Sequence, residues 1–357
     1  SDLRNIVHCG KPLTATSLAI AERTGAGGLD ILAAIVLGYE VAGRIGEAIL
    51  PGWDHRGHHG CMGATFGATA AAARLLGLDA RQAAHAIALT ATSIGGLSQA
   101  AATSISREYH AGNATMLGIE AALAAERGFT GEPAILEMER GFVSLFGGPS
   151  GDAKSIARDL GKSWDIAPDM AFKLVPGGHP YHAIAEAAAN AARDGNIAGE
   201  DIAAIIISRP GYDKLTPPLH PKDLIDMAHS PAYFAAAAAH DKYFGWEHAS
   251  AERIADPNIH ALIDKVRVGP PPAGNATQYR QGATVSIETT GGQTVTSTEL
   301  VPKGAACLGV DWPEIEDKYR ALAPHAPLDA SKIEGSLAMI RNLRSSADAA
   351  ALLAQLC

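Results

Sequence analysis

The sequence predicts a mainly α protein in which an all-helical domain is interrupted by a smaller α/β domain. Three observations support this fold class. Small residues are abundant, with 38 Gly and with Ala runs at 70–73 and 235–239, which is typical of helices that pack closely. Apolar residues recur at helical spacing in the first half of the chain and again at its end. Between these parts, an apolar β-branched run and two runs with period-two alternation indicate strands.

The first part of the chain is predicted to form a succession of helices. Asp30 is placed as the N-cap of the first of them, because the helical apolar pattern begins at Leu32. Asp79 begins a later helix. Gly128 closes another at the C′ position, where a left-handed backbone favours glycine. The predicted helices cover 32–49, 63–76, 79–87, 114–127 and 150–160.

The middle of the chain changes character near Asp169. A Gly- and Pro-rich loop at 173–178 leads into a predicted helix at 181–193. Gly291-Gly292 stands between two alternating runs, which predicts a hairpin with a primed turn. The predicted strands cover 202–208, 266–268, 283–289 and 294–300.

Helical patterns return after Pro302, at 313–322, 331–343 and 348–356. Because this tail resembles the first half in character, we expect it to rejoin the helical domain. The predicted domains are 1–169 (helical, first part), 170–301 (α/β) and 302–357 (helical, C-terminal part).

Composition and charge exclude several classes of protein. The chain has 357 residues, of which 47% are hydrophobic, so it can form a large core and does not resemble a disordered chain. Its most apolar stretch, around 29–42, contains Asp30 and Glu40, so no membrane association is predicted. The net charge of −9 provides no basic surface for a nucleic acid.

The four cysteines restrict the chemistry further. They are scattered and contain no CxxC pair, which argues against a disulfide framework, a zinc knuckle and an iron–sulfur cluster. This usage and the lack of a signal peptide predict a cytoplasmic protein. The chain starts at Ser1 rather than Met, so a preceding segment is expected. The cysteines are Cys9, Cys61, Cys307 and Cys357.

The 14 histidines are concentrated next to glycines, most clearly in the segment 53–60. Histidine titrates near neutrality, and a helix N-terminus preceded by glycine favours a bound anion. We therefore interpret Arg56 and His58 as parts of a carboxylate-binding, proton-transfer loop. Two alternatives stay open. One is a polar surface loop, and the other is a metal site formed by His55, His58 and His59, although this spacing matches no metal motif.

A second candidate lies at 106–113, where Arg107 is followed by His110 and a Gly-Asn pair. A cation at this point suits a second carboxylate of a substrate. The alternative is that Arg107 pairs with Glu108 or Glu120 on the surface.

Three sequence blocks resemble the MmgE/PrpD family. They are GATFGATAAAARLLGLD at 63–79, REYHAGNATMLGIEAALAAERGFTGEPAILE at 107–137 and KLVPGGHPYHAIAEA at 173–187. The family includes methylcitrate dehydratases, cis-aconitate decarboxylases and an iminodisuccinate epimerase. The resemblance implies a helical domain with a smaller α/β lid, a homodimer, and an active site in the cleft between the domains without a metal or organic cofactor.

The resemblance also implies roles for individual residues. His8 and His58 match the family's active-site histidines, and Tyr233 matches a family tyrosine, so these three are the predicted catalytic residues. The predicted substrate-binding residues are Arg107, Lys173, His179 and Arg56. His110 and His182 are expected to be capping or core histidines, and packing is the alternative role for Tyr233.

Three features depart from the family pattern. Arg107 replaces a family lysine, which turns a possible proton donor into a fixed cation. Gly178 stands where relatives often have Cys or His, with His179 one position beyond. The family's opening helices are expected to be largely missing before the first residues of this chain.

The resemblance implies chemistry at a carbon next to a carboxylate, where a base removes a proton while cations neutralise the developing charge. The first prediction is a lyase of the dehydratase type acting on a small di- or tricarboxylate such as a methylcitrate-like acid. An epimerase or a decarboxylase acting on a related acid is the alternative within enzymes. A binding protein that has kept the fold and lost catalysis is the alternative outside them.

Overall fold

Both ends of the chain belong to one unit, and the middle of the chain forms a second unit. The computed structural model describes residues 2–5, 7–164, 166–348 and 350–356. The helical unit comprises Ser1–Met170 and Asp311–Cys357, and the α/β unit comprises Ala171–Val310. The sequence predicts these two boundaries after residues 169 and 301, and the structure places them after residues 170 and 310.

The helical unit contains short and long helices in its first segment and three more in its C-terminal segment. Over the described residues these are α1 (Gly10–Thr24), α2 (Gly28–Ala48), α3 (Gly52–His55), α4 (Cys61–Leu75), α5 (Ala80–Thr90), α6 (Ser98–Thr103), α7 (Ser106–Glu126), α8 (Phe142–Gly147), α9 (Ile166–Asp169), then, after the α/β unit, α15 (Trp312–Leu322), α16 (Ala330–Arg341) and α17 (Ala350–Leu356).

The centre of the helical unit is α4, which packs against α1, α2, α5 and α7. Nearly all of its residues are buried, because its sequence is apolar or small on every side. Glycine brings the α2 and α4 backbones together, since a Cβ added at Gly67 would lie 2.5 Å from the Gly38 carbonyl oxygen. Close packing through small residues, as the composition predicts, is confirmed here.

The predicted cap of α2 is wrong. The helix begins at Gly28 with Gly27 as N-cap, which places Asp30 in the first turn. The Gly28 N–H donates to the Ser346 carbonyl oxygen at 2.9 Å, and a Cβ at Gly28 would collide with the Leu343 carbonyl. The C-terminal segment of the chain therefore fixes the start of this helix, and a local pattern does not contain that information.

The predicted helix at 150–160 is also wrong, because only a short 3₁₀ segment at Ala153–Ala157 forms. The buried guanidinium of Arg44 competes for its backbone carbonyls. It donates to the carbonyl oxygens of Ile156 at 3.3 Å and Arg158 at 2.5 Å, and the Arg44 Nε also donates to Glu40 at 2.6 Å. Those carbonyls are turned towards α2 instead of continuing a helix.

The α/β unit combines a small sheet with helices rich in alanine. Its described helices are α10 (His182–Asp194), α11 (Leu224–Ala228), α12 (Pro231–Asp241), α13 (Ala251–Ile254) and α14 (Pro257–Ile263), and its strands are β1 (Ile202–Ser208), β2 (Val266–Val268), β3 (Ala283–Thr289) and β4 (Thr294–Glu299).

The four strands form one mixed sheet in the order β2-β1-β3-β4. β1 is parallel to β2 and antiparallel to β3, and β3 is antiparallel to β4. α10 packs against β3, β4 and α12. All five alanines at 235–239 are fully buried in this core. A mainly helical protein with a small α/β part is therefore confirmed.

The hairpin between β3 and β4 forms as predicted, but its turn is different. A type I′ turn needs a positive φ at both central residues, and of the two glycines only Gly292 has one, at +84°. The Gly292 N–H donates to the Thr289 carbonyl oxygen at 3.0 Å, and the Thr289 N–H donates to that of Gln293 at 2.8 Å. These bonds define a three-residue loop in which Gly292 takes the left-handed position.

No helix in the described part of the chain has the length and apolar character needed to cross a bilayer. Cys9 and Cys61 are buried free thiols, and Cys307 is an exposed one. Cys357 lies outside the described residues.

Candidate functional site

The predicted site residues fall in both units. His8, Arg56, His58 and Arg107 belong to the helical unit. Lys173, His179 and Tyr233 belong to the α/β unit.

The segment before α4 sends two adjacent histidines in different directions. Gly57 has a φ of +77°, and His58 forms an isolated antiparallel bridge with Leu97. The His59 N–H then donates to the Gly96 carbonyl oxygen at 3.1 Å. In extended backbone, successive side chains point to opposite sides. His58 and His59 therefore face different surroundings, although they are neighbours in sequence.

The His59 ring lies between two other imidazoles. Its centroid is 6.2 Å from that of His8, which precedes α1, and 5.4 Å from that of His110 in α7. The Cys61 N–H donates to the His59 Nδ1 at 3.3 Å, which favours the tautomer with the proton on Nε2. We call His8, His59 and His110 the histidine cluster.

Cys61 lies beside this cluster at the start of α4. Its Sγ is 3.6 Å from the Gly95 carbonyl oxygen. Burial raises the pKa of the thiol to about 11, so Cys61 is protonated near neutrality and is not a nucleophile there.

The His58 ring packs edge-on against Phe146, with centroids 5.1 Å apart. Its Nδ1 is buried and has no hydrogen-bond partner among the described residues. The His58 carbonyl accepts a hydrogen bond from the Ser98 hydroxyl. Of these two neighbouring histidines, it is therefore His59 whose ring contacts His8 and His110.

Arg107 places a positive charge one turn before His110 on α7, since residues three apart share a face of a helix. Its side chain is 20% exposed, and its Nε is 3.9 Å from a Glu108 carboxylate oxygen. Glu108 also forms an ion pair with Lys11. The Glu108 carboxylate is therefore shared between two cations.

Arg56 has a structural partner near the end of α8. Its Nη1 donates to the Leu145 carbonyl oxygen, and a Cβ added at Gly148 would collide with the guanidinium. This geometry favours a role in capping α8.

Lys173, His179 and His182 come together in the α/β unit. The Lys173 Nζ donates to the Gly177 carbonyl oxygen at 2.9 Å. The rings of His179 and His182 stack with centroids 4.8 Å apart. His179 is 2% exposed, and neither of its ring nitrogens has a hydrogen-bond partner within the described residues.

Burial, reinforced by the nearby charge of Lys173, lowers the pKa of His179 to about 3. Burial and the neighbouring His179 also hold the pKa of His182 well below its usual range. Both imidazoles are therefore neutral near pH 7, and the positive charge of this group is that of Lys173.

The loop that carries these residues needs glycine at two positions. A Cβ at Gly178 would lie 2.6 Å from the Ala228 carbonyl oxygen, and Gly177 has a φ of +85° with Phe234 against it. This backbone has no room for a side chain at 178, the position where the sequence departs from the family pattern.

Tyr233 lies inside the core of the α/β unit with no exposed surface. Its hydroxyl donates to the His248 carbonyl oxygen at 2.8 Å, and burial raises its pKa above the usual range. These contacts favour the packing role that the sequence left open for this residue.

A cavity of about 380 Å³ lies within the α/β unit beside His182. Two cations, Arg193 and Lys303, line it together with Glu186. The backbone N–H of Lys303 donates to the Glu186 carboxylate at 3.0 Å. Burial raises the pKa of this carboxyl group. The volume is in the range of small-molecule sites.

The chain joins a helical unit, which carries a histidine cluster, to an α/β unit, which carries a lysine–histidine group. The protein thus belongs to a two-unit class in which each unit carries histidines. The model of the MmgE/PrpD N-terminal domain matches residues 3–153, and that of the MmgE/PrpD C-terminal domain matches residues 176–342. The chain belongs to the MmgE/PrpD family, as the sequence blocks predict.

Three curated relatives are similar over most of the chain. Cis-aconitate decarboxylase of Homo sapiens is 28% identical over 348 residues, covering 95% of this chain and 71% of the relative. The Mus musculus enzyme of the same name is 27% identical, covering 95% and 70%. Cis-aconitate decarboxylase-like protein oryM of Aspergillus oryzae is 26% identical, covering 92% and 71%. The named mammalian relatives are enzymes.

Sequence reasoning did not identify His59, Cys61 or His110 as a group. The paired histidines at 58 and 59 contained a usable signal, because only one of two adjacent residues in an extended segment can face a given side. Which of the two histidines faces the cluster depends on Gly96, whose carbonyl oxygen accepts a hydrogen bond from the His59 N–H although it lies more than thirty residues away in sequence.

Proposed function

We propose that this protein is a lyase that acts on a small di- or tricarboxylate by transferring a proton at a carbon next to a carboxylate. The observation that carries the proposal is the histidine cluster with Arg107 one helical turn from His110. Imidazoles supply acid and base near neutral pH, and a guanidinium binds a carboxylate in a bidentate way. The similarity to cis-aconitate decarboxylases favours a substrate of this class.

The tautomer of His59 suggests how the roles divide. The Cys61 N–H donates to the His59 Nδ1, so the neutral His59 carries its proton on Nε2. As the imidazolium, His59 is the candidate proton donor, because giving up one proton returns it to a neutral imidazole. His8, the neighbouring imidazole, is then the candidate base. Arg107 holds a substrate carboxylate and neutralises charge that develops on it.

Decarboxylation is the reaction we place first, ahead of the dehydration that the sequence suggested. In decarboxylation, the bond to a carboxylate breaks, carbon dioxide leaves, and the electron pair that stays on the substrate takes a proton from the His59 imidazolium, which becomes neutral. In dehydration, His8 removes a proton from carbon, and the neighbouring hydroxyl leaves as water after protonation. The same acid and cation serve either reaction, and only dehydration uses the base.

Lys173 and His179 are proposed to bind a carboxylate within the α/β unit. Lys173 brings the positive charge, and the neutral His179 ring supplies a hydrogen-bond donor. Arg56 and Tyr233 have backbone partners and are assigned structural roles in this proposal. The homodimer, the lid role of the α/β unit and the cytoplasmic location stay predictions.

The test is to incubate the purified chain with cis-aconitate, with 2-methylcitrate and with iminodisuccinate in D₂O and to follow each by proton NMR. Release of carbon dioxide identifies a decarboxylase, and loss of water identifies a dehydratase. Deuterium entering next to a carboxylate without net reaction identifies an epimerase. A folded chain that changes none of these acids would refute the catalytic proposal and favour a binding protein.

Two adjacent variants test the assignment within the site. We expect His59→Ala to reduce kcat by about 100-fold or more, the usual scale for losing a general acid. His58→Ala is the matched control, since it removes the same side chain one residue away, and we expect a change of less than about tenfold. If His58→Ala is the more damaging variant, the family-based assignment of His58 is correct and ours is wrong.

A further inference from the structure

His59, Cys61 and His110 form a compact group of metal-binding side chains. Each offers one ligand atom, and these atoms all lie within 4.8 Å of one another. Two of the residues belong to the segment that begins α4, and the third comes from α7. The group is therefore assembled by helix packing and is not a short sequence motif.

The donor atoms select a class of ion. Two imidazoles and one thiolate suit zinc and similar transition metals, whereas calcium and magnesium prefer oxygen ligands. Zinc bonds of 2.0–2.3 Å place tetrahedral donors about 3.5 Å apart. Side-chain rotations that move the donors by about 1 Å would bring this group to that geometry.

We propose that His59, Cys61 and His110 bind one Zn²⁺ ion, and that this ion inhibits the enzyme by occupying its proton-transfer residue. The inhibition rests on the proposed function, and the binding does not. Three protein ligands leave the fourth zinc position for water or a substrate carboxylate.

The surroundings of the group support a site. The His110 Nδ1 is buried without a hydrogen-bond partner in the described part of the chain, so a ligand there displaces no protein contact. The long bond from the Cys61 N–H to His59 is readily exchanged for a metal bond. Gly96 covers the group closely, since a Cβ there would lie 2.8 Å from the Cys61 sulfur and 3.7 Å from the His110 Nδ1.

Zinc at this position would compete directly with catalysis. An imidazole bound to a metal through one ring nitrogen cannot carry a proton on that nitrogen, so a zinc-bound His59 cannot form the imidazolium that gives its proton to the substrate. The ion is thus an inhibitor and not a cofactor. This is compatible with a family whose reaction is expected to need no metal.

The binding test uses Co²⁺ as a spectroscopic substitute for Zn²⁺ on the full chain. We expect one equivalent of Co²⁺ to produce a thiolate charge-transfer band and the visible bands of tetrahedral cobalt, and Zn²⁺ to remove them. Cys61→Ser should abolish the charge-transfer band and weaken zinc binding by about 100-fold or more, beyond the effect of losing an outer-shell partner. Cys307→Ser, at the exposed free thiol, is the matched control and should bind as the wild type does.

X-ray absorption on the zinc-loaded wild type makes the test independent of how any variant folds. We expect one sulfur and two imidazole nitrogens around the metal. Zinc without a sulfur ligand, a cobalt band that disappears in Cys307→Ser, or no binding at micromolar zinc would each overturn the proposal.

Activity measured with and without zinc separates the two proposals. Turnover that zinc suppresses and a chelator restores supports both of them. Turnover that is unaffected by bound zinc overturns the inhibition. A chain that binds zinc through the three residues but acts on no carboxylic acid retains the metal site and refutes the proposed function.

Discussion

Substitution of Gly67 by Ala tests the close packing of α2 against α4. The new Cβ would lie 2.5 Å from the Gly38 carbonyl oxygen and 2.9 Å from the Ala42 Cβ, about 1 Å short of ordinary contact. Overpacking against backbone costs about 3 kcal/mol at the upper end of its range. The better helix propensity of alanine returns about 1 kcal/mol. The expected net loss is about 2 kcal/mol, or a fall in Tm of about 4–8 °C for a unit of this size.

Gly112→Ala is the matched control for this experiment. Gly112 lies in α7 with nothing within 4 Å of an added Cβ, so only the propensity gain of up to about 1 kcal/mol applies. Thermal unfolding followed by circular dichroism should therefore move in opposite directions for the two variants. If Gly67→Ala melts at or above the wild-type temperature, the helices are not held at backbone contact and the reasoning fails.

Three further predictions concern charge and capping. Folding lowers the pKa of His179 to about 3, so the unfolded chain binds more protons than the folded chain between pH 6.5 and 3. The free energy of unfolding therefore has its full value above pH 6.5 and falls on acidification, by up to about 5 kcal/mol. Urea midpoints across that range should depend less on pH in His179→Leu, and equal slopes would contradict this. Arg44→Ala should cost about 3–5 kcal/mol in urea unfolding, because it removes the guanidinium that pairs with the buried Glu40 carboxylate. A loss below about 1 kcal/mol would show that the pair is not effectively buried. Asp79→Ala should cost about 1 kcal/mol, since it removes a capping box. Asp30→Ala removes no cap and should cost only a few tenths of a kcal/mol. Equal losses would refute the observed cap positions.

Much of the local structure could be predicted because its causes are local. Asp79 caps α5 with its own side chain, and Gly128 takes the left-handed conformation after α7 with a φ of +88°. Both assignments depend on residues within a few positions of the helix end. β3 and β4 were predictable for a similar reason, since period-two alternation follows from burial of one face of a sheet.

The wrong predictions share a physical cause. The start of α2 depends on Leu343 and Ser346, and the interrupted helix at 150–160 depends on Arg44. In both cases a distant group makes a hydrogen bond or a steric contact that outweighs the local preference. The hairpin turn differs because three residues, rather than two, close it through Thr289 and Gln293.

The family, the alternation of helical and α/β parts, and the importance of histidines next to glycines could all be predicted from the amino-acid sequence. These follow from composition, periodicity and motif blocks, which are properties of neighbouring residues. The contact of His59, rather than His58, with His8 and His110, and the position of Cys61 beside them, depend on tertiary packing. The physical reason is that the direction of each side chain depends on one backbone bond from His59 to Gly96, and on the packing of α4 against α7.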